Sequence, residues 1–209
     1  MIFNPEIECS SPDKLKDIQS IYLVDLVKRV YENVPFYKKK FDELKIKPSD
    51  IKSIEDISKL PFTIKNDLRD NYPFGLFAVP REQVLEIHAS SGTTGNPTVV
   101  GYTKNDIKLW STVMARTIAC AGGNPGDIIQ NAYGYGLFTG GLGVHYGSLE
   151  LGCSIVPTSS GVTKRQIKLL GDFGARLLTC TPSYALYMAE EAADMGVDVK
   201  QLPVEIGIL

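Results

Sequence analysis

From residue 84 onward, short apolar runs alternate with stretches whose apolar residues recur every three or four positions. Val84-Leu85-Glu86-Ile87-His88-Ala89 and Thr98-Val99-Val100-Gly101-Tyr102 read as strands. Thr103 then caps a helix, with Asp106 at the capping-box position and Ile107, Trp110, Met114 and Ile118 on one face. Gly122-Gly123 ends it. Beyond, the pattern predicts strands over 127–130, 153–157, 176–180 and 204–209, alternating with helices over 139–151, 163–170 and 182–195. Apolar strands joined through helices imply an α/β fold with a largely parallel sheet covered on both faces. Ligands of such sheets gather at the carboxyl ends of the strands. The turns after Ala89, Gln130, Val156 and Cys180 are therefore expected to line one side.

The first eighty residues read differently. Ser11 followed by Pro12 starts a helix with Leu15, Ile18, Tyr22, Leu26 and Val30 facing inward. A second short helix over 35–44 carries Lys38, Lys39 and Lys40, read as a solvated face without a function. Prolines at 48, 61 and 73 punctuate the rest. Two segments result: a mainly helical one over 1–80 and an α/β core over 81–209.

Between the first two strands lies Ser90-Ser91-Gly92-Thr93-Thr94-Gly95-Asn96-Pro97-Thr98. Hydroxyls that donate protons and glycines that let backbone amides turn inward suit such a loop to a polyphosphate. Its composition alone equally fits a plain surface loop. The Walker pattern is excluded, because Gly92 and Gly95 are too close and no lysine follows. After the strand at 127–130, Tyr133, Tyr135 and Phe138 can form a slot for an aromatic ring, with Gly140, Gly141 and Gly143 leaving room beside the next helix. Those aromatics also fit a core, and the glycines tight helix packing. A dinucleotide fingerprint fails here, since the glycine after Gly136 is Gly140, one position too far. The turn Thr181-Pro182-Ser183-Tyr184 could favour an anion at a helix start or simply cap it.

Composition removes other classes. With 209 residues, 44% apolar, 22% charged and a formal net charge of -2, the chain is neither disordered nor a general polyanion binder, so no nucleic-acid partner is expected. Cys9, Cys120, Cys153 and Cys180 lack metal or redox spacing and read as small hydrophobes in a reducing cytoplasm. His88 and His145 lack ligand-spaced partners, so no metal site is assigned, although a catalytic role stays open for His145. No signal peptide and no bilayer-length apolar segment is seen, which points to a soluble cytoplasmic protein without a membrane partner.

The run from Ser90 to Thr103 resembles the phosphate-binding motif of adenylate-forming enzymes, within them the phenylacetate-CoA ligase family. The stretch Asn131-Ala132-Tyr133-Gly134-Tyr135-Gly136-Leu137-Phe138-Thr139-Gly140-Gly141-Leu142-Gly143-Val144-His145-Tyr146-Gly147 resembles the same family's signature, as does Tyr31-Glu32-Asn33-Val34-Pro35-Phe36-Tyr37. The resemblance implies that the core is part of an adenylate-forming N-terminal domain. It implies ATP-dependent joining of an aryl acid, foremost phenylacetate, to coenzyme A through an acyl-adenylate, with release of pyrophosphate and AMP, in phenylacetate catabolism. ATP, Mg2+ and coenzyme A are the implied cofactors and co-substrates, and a homodimer the implied assembly. Ser90, Ser91, Gly92, Thr93, Thr94, Gly95 and Thr98 become the implied phosphate-binding residues. Tyr133, Tyr135, Gly136, Phe138, Gly140 and Gly141 become the implied aryl-acid residues. Relatives commonly carry lysine where this chain has Asn96, so one cation near the pyrophosphate is missing. The run Val204-Glu205-Ile206-Gly207-Ile208-Leu209 ends inside an apolar strand without a polar tail. The expectation is therefore an N-terminal portion inactive alone, with the catalytic lysine, the metal-binding glutamate and the C-terminal domain beyond Leu209. Three alternatives are a related aryl-acid adenylating enzyme, a non-catalytic nucleotide- or acid-binding module, and a partner subunit.

Overall fold

The computed structural model describes residues 1–92 and 95–209. It divides into two compact units, Pro5–Lys104, and Met1–Asn4 together with Asn105–Leu209.

The Pro5–Lys104 unit opens with α1 (Pro5–Glu8), α2 (Pro12–Asn33) and α3 (Pro35–Glu43), and continues through 3-10 turns to α4 (Lys65–Asp70). Ser11 caps α2 as expected: its backbone is extended and its side chain accepts from the Lys14 amide at 3.3 Å. A single residue, Val34, joins α2 to α3. It is buried, donates to the Val30 carbonyl at 2.9 Å and accepts from Lys38 at 3.0 Å, so the turn leaves neither backbone group unmet. The inward face of α2 differs from the sequence reading. Leu23 and Val27 join Phe41 and Ile51 in the core, whereas Tyr22 is 71% and Leu26 50% exposed. Apolar residues lie on several sides of α2, and the packing of Phe41 and Ile51 decides which side is buried. Lys40 also departs from the expected solvated face. It donates to Asp67 at 2.8 Å and to the Phe62 carbonyl at 3.1 Å, and lies 4.7 Å over the Phe36 ring.

A 3-10 turn, Ile54–Lys59, holds two carboxylates whose pKa values are both pulled down to about 2. Glu55 is lowered by its bond to Lys16 and then by Ser53, and Asp56 by Lys59 and then by the Lys52 amide. Carboxylates with depressed folded-state pKa values stabilise the fold above the ordinary carboxylate range, and lose that contribution as pH falls towards the folded value. Urea midpoints are expected to stay level above about pH 5 and to fall between about pH 4.5 and 2. The double variant Glu55→Gln/Asp56→Asn is expected to flatten that fall. An unchanged slope would show that these two groups do not carry it.

The unit ends in a hairpin of β1 (Val84–Ala89) and β2 (Val99–Thr103), antiparallel, with Ala89 opposite Val99 and an irregularity between Val84 and Glu86. It forms its own two-stranded sheet. The turn after Ala89 is therefore not one of the parallel-sheet ends, contrary to expectation. A connection this short can return the chain only antiparallel, because a parallel pair needs a longer crossover.

The second unit is the parallel α/β layer. Its elements are α5 (Lys104–Cys120, of which all but Lys104 lie in this unit), β3 (Ile128–Asn131), α6 (Thr139–Leu151), β4 (Ser154–Val156), α7 (Thr163–Phe173), β5 (Leu177–Thr179), α8 (Pro182–Asp194) and β6 (Ile206–Ile208). The sheet order is β4-β3-β5-β6, parallel throughout. Successive strand residues feed opposite faces. Ile129 and Leu177 pack with Ala115, Ile118 and Ala119 of α5 and Val144 and Leu151 of α6. Ile128 and Leu178 pack with Ile167 and Leu170 of α7 and Met188 and Ala192 of α8. Two helices therefore cover each face, as the alternation of the sequence implies. At the amino end, Arg176 bonds Asp127 and Glu205, both at 2.7 Å, and the Gly122 carbonyl at 3.2 Å. Those residues precede β5, β3 and β6, so one guanidinium ties together the starts of three strands. Among the described residues, no helix is long and apolar enough to cross a membrane.

Candidate functional site

The hairpin loop is drawn closed at its neck. Ser90 donates its amide to the Thr98 carbonyl at 2.9 Å, and its Oγ accepts from the Thr98 amide at 2.9 Å. The Ser90 oxygen is thus committed as an acceptor, and what the side chain offers a ligand is its hydroxyl hydrogen. Within the loop the Gly95 amide reaches the Gly92 carbonyl at 3.1 Å, with φ of +67° at Gly92 and +130° at Gly95. Those left-handed values favour glycine. A Cβ on Gly92 would also lie 3.1 Å from the Gly95 carbonyl oxygen, while the space beside Gly95 is open. Ser91 and Asn96 are exposed and Thr98 is half-buried. Thr93 and Thr94 lie outside the described residues.

The other sequence-predicted residues gather at the carboxyl end of β3. Asn131, the last residue of that strand, is fully buried. Its Oδ1 accepts from the Tyr133 amide at 3.2 Å and the Thr179 hydroxyl at 2.9 Å; its Nδ2 donates to the Tyr135 hydroxyl and the Gly141 carbonyl, each at 2.8 Å. One side chain thus joins the end of β3, the end of β5, the aromatic loop and the first turn of α6. Tyr133 is half-buried against the α5–α6 face of the sheet, and its phenol pKa is raised by burial and by nearby Cys180. Gly140 faces the Tyr133 ring, which a Cβ there would meet at an ordinary contact distance of 3.8 Å. Phe138 is 60% exposed and belongs to no core, and the space beside Gly136 is open.

Gly141 and Gly143 serve packing. A Cβ on Gly141 would lie 2.6 Å from the Gly134 carbonyl oxygen, and one on Gly143 would lie 2.8 Å from the Trp110 ring. Of the three glycines expected to leave room beside the helix, Gly140 alone would take a Cβ without strain. Tyr135 turns inward: its hydroxyl lies 2.8 Å from Asn131 and 3.2 Å from His145 Nδ1, and desolvation raises its pKa.

The loop after β4 is fastened by Gln166, a residue to which the sequence assigned no role. This side chain on α7 is fully buried. Its two amide hydrogens go to the Ser159 carbonyl at 2.8 Å and the Gly161 carbonyl at 2.7 Å, its Nε2 lies 3.2 Å from the Tyr184 hydroxyl, and its Oε1 accepts from Thr158 at 3.0 Å. It holds Ser159 and Val162 in the left-handed region, at φ of +59° and +48°. The same Thr158 hydroxyl lies 3.0 Å from the Asn131 carbonyl, so its one hydrogen is shared between Gln166 and Asn131, which couples this loop to the aromatic one. A buried amide at the turn where a strand ends or a helix begins was the available signal: Asn131 closes an apolar strand, and Gln166 interrupts the apolar face of α7. The Thr181 turn does not cap α8 through its side chain; that hydroxyl lies 3.3 Å from Ser183 Oγ. His88 is buried, 3.1 Å from Glu86 and edge-on to Tyr102. Among the described residues, no three His, Cys, Asp or Glu side chains gather where they could hold a metal.

No family profile matches the chain. Individual proteins do. The phenylacetate-coenzyme A ligase of Thermus thermophilus is 53% identical over 209 residues, which are 100% of this chain and 47% of that protein. Those of Aromatoleum evansii and Escherichia coli are 54% and 50% identical, over 97% of this chain and 46% of theirs. Along almost its whole length, then, the chain is similar to phenylacetate-coenzyme A ligases. It spans about half the length of the curated relatives it matches. The fold agrees with this likeness. A crystal structure of 2-hydroxyisobutyryl-CoA ligase with 2-HIB-AMP and CoA, in the thioesterification state, superposes with a TM-score of 0.88 at 27% identity, covering 93% of this chain and 43% of that one. A postadenylation-state structure of that ligase, with 2-HIB-AMP, gives 0.85 at 27% identity over 92% and 42%.

Proposed function

We propose that this chain is part of a cytoplasmic, homodimeric ligase that joins phenylacetate to coenzyme A through phenylacetyl-AMP. The observation that carries this reading is 50–54% identity to four phenylacetate-coenzyme A ligases over 97–100% of the chain. In the first step the carboxylate attacks the α-phosphate of ATP and pyrophosphate leaves. In the second, the thiol of coenzyme A attacks the acyl carbon and AMP leaves. Negative charge grows on the pyrophosphate, and donors already oriented towards it lower the barrier. The loop at 90–98 offers such donors: the Ser90 and Ser91 hydroxyls and the amides around Gly92 and Gly95. Mg2+ enters with ATP, its charge neutralised by the phosphates, which suits a cation that is usually held through substrate oxygens. The slot between Tyr133, Gly140 and Phe138 receives the aryl ring.

Two variants of the full-length enzyme test the assignments. Phe138→Ala is expected to raise KM for phenylacetate about tenfold, the equivalent of ~1.4 kcal/mol of ring contact, while KM for ATP stays within about twofold. Equal changes in both would remove Phe138 from the aryl slot. Asn96→Lys supplies a cation that Asn96 does not, and one charge near a phosphate is worth about 1 kcal/mol at 4 Å in water. Phenylacetate-dependent exchange of pyrophosphate into ATP is expected to speed up about fivefold. An unchanged rate would show that the loop is not limited by the missing charge.

A further inference from the structure

The hydrogen-bond chain leaving Asn131 has a polarity set by backbone groups. The Tyr133 amide can only donate and the Gly141 carbonyl can only accept, so Oδ1 must face the first, at 3.2 Å, and Nδ2 the second, at 2.8 Å. The second Nδ2 hydrogen then points to the Tyr135 hydroxyl oxygen at 2.8 Å, making that oxygen an acceptor. The phenol hydrogen is left to donate, and His145 Nδ1 stands 3.2 Å away. A neutral imidazole that accepts at Nδ1 carries its proton on Nε2. The two rings meet edge to face, with centroids 5.8 Å apart at 85°.

We infer that Asn131, Tyr135 and His145 form a directional relay, with His145 as its Nε2–H tautomer and terminal acceptor, and that His145 and Tyr135 are positioning residues for the aryl acid. Tyr135 is not a wall of the slot. Its hydroxyl is turned inward, and through it the loop over 132–138 is held against α6 with the Tyr133 ring facing Gly140. The inference rests on the reading of Tyr133, Gly140 and Phe138 as the aryl slot.

Two experiments on the full-length ligase test it. The first is nitrogen-15 NMR of labelled histidine, with the His145 resonances assigned from His145→Asn. The expected result is the Nε2–H tautomer at neutral pH and a shifted Nδ1 resonance in Tyr135→Phe. An Nδ1–H tautomer, or no response to Tyr135→Phe, would overturn the relay. The second is kinetic. Tyr135→Phe and His145→Leu are expected to raise KM for phenylacetate about tenfold with kcat and KM for ATP within about twofold. His145→Asn, whose Oδ1 can take the place of Nδ1, should restore most of that loss. Unchanged KM values, equal losses in kcat and KM, or no rescue by asparagine would overturn the positioning role; should His145→Leu fail to fold, Tyr135→Phe, which removes a single oxygen atom, decides. If the wild-type enzyme uses no aryl acid, the functional reading fails, and the tautomer still decides the relay.

Discussion

Gly147→Ala is expected to destabilise the protein by about 3 kcal/mol, although alanine is the better helix former by about 1 kcal/mol. The added Cβ would lie 2.4 Å from Met114 Cβ, 2.8 Å from the Met114 carbonyl carbon and 3.0 Å from the Ala115 amide nitrogen. Two of those three are backbone atoms of α5 and cannot rotate away. α5 and α6 would have to separate, opening the cluster of Ala115, Ile118, Val144 and Leu151 that covers one face of the sheet. Overpacking of this kind usually costs about 1–3 kcal/mol, and contact with backbone puts this site at the upper end. The melting temperature should fall by about 6–12 °C. Gly171→Ala supplies the control. It lies in α7, where the nearest atom to an added Cβ is Leu202 Cδ2 at 3.9 Å. There the helix preference stands alone, and the melting temperature should stay level or rise. A Gly147→Ala protein as stable as Gly171→Ala would show that α5 and α6 are not in backbone contact.

Asn131→Leu is expected to be more damaging than its similar volume suggests, costing about 4 kcal/mol and most of the activity on aryl acids. The replacement leaves the Tyr133 amide, the Thr179 hydroxyl and the Gly141 carbonyl without the partner that Asn131 gives each. Each polar group left unmet in the interior costs about 1–3 kcal/mol. The loss is expected to have a functional direction as well, since the Asn131 bond to the Tyr133 amide positions the residue proposed to contact the aryl ring. Asn131→Asp separates the two effects. It keeps an acceptor for Tyr133 and Thr179 but places a carboxylate oxygen against the Gly141 carbonyl, so it too should unfold at lower urea. A variant with unaltered urea midpoint and unaltered KM for phenylacetate would show that this amide is not the organiser of the loop.

Most of the layer was legible because its signals are local. The helix at Thr139–Leu151 follows from a turn before it and a glycine after it, and Leu177 and Leu178 announce a strand buried on both sides. The inward face of α2 was not, because Tyr22 and Leu26 are as apolar as Leu23 and Val27, and only Phe41 and Ile51 choose between them. The two strands flanking residues 90–98 are legible, but the turn after Ala89 groups in sequence with the ends of the parallel strands. Strand direction follows from connection length, which composition does not display. At the site, glycines that look alike in sequence divide in three dimensions. A Cβ on Gly140 would meet the Tyr133 ring at an ordinary contact distance of 3.8 Å, while one on Gly143 would lie 2.8 Å from Trp110. Tyr135 reads as an aromatic like Tyr133 until its hydroxyl is seen committed to Asn131 and His145. Asn131 and Gln166 went unassigned because a buried amide acts through partners 10 or more positions away, such as Gly141 and Thr179 for Asn131 and Tyr184 for Gln166.

Under the proposed function, the full-length protein adenylates an aryl acid before any coenzyme A is needed. Exchange of labelled pyrophosphate into ATP by the full-length enzyme, with coenzyme A omitted, tests it most directly. The account predicts exchange that requires phenylacetate and is lost when the acid is withheld. Exchange that proceeds without any aryl acid, or turnover that releases ADP and phosphate instead of AMP and pyrophosphate, would contradict it.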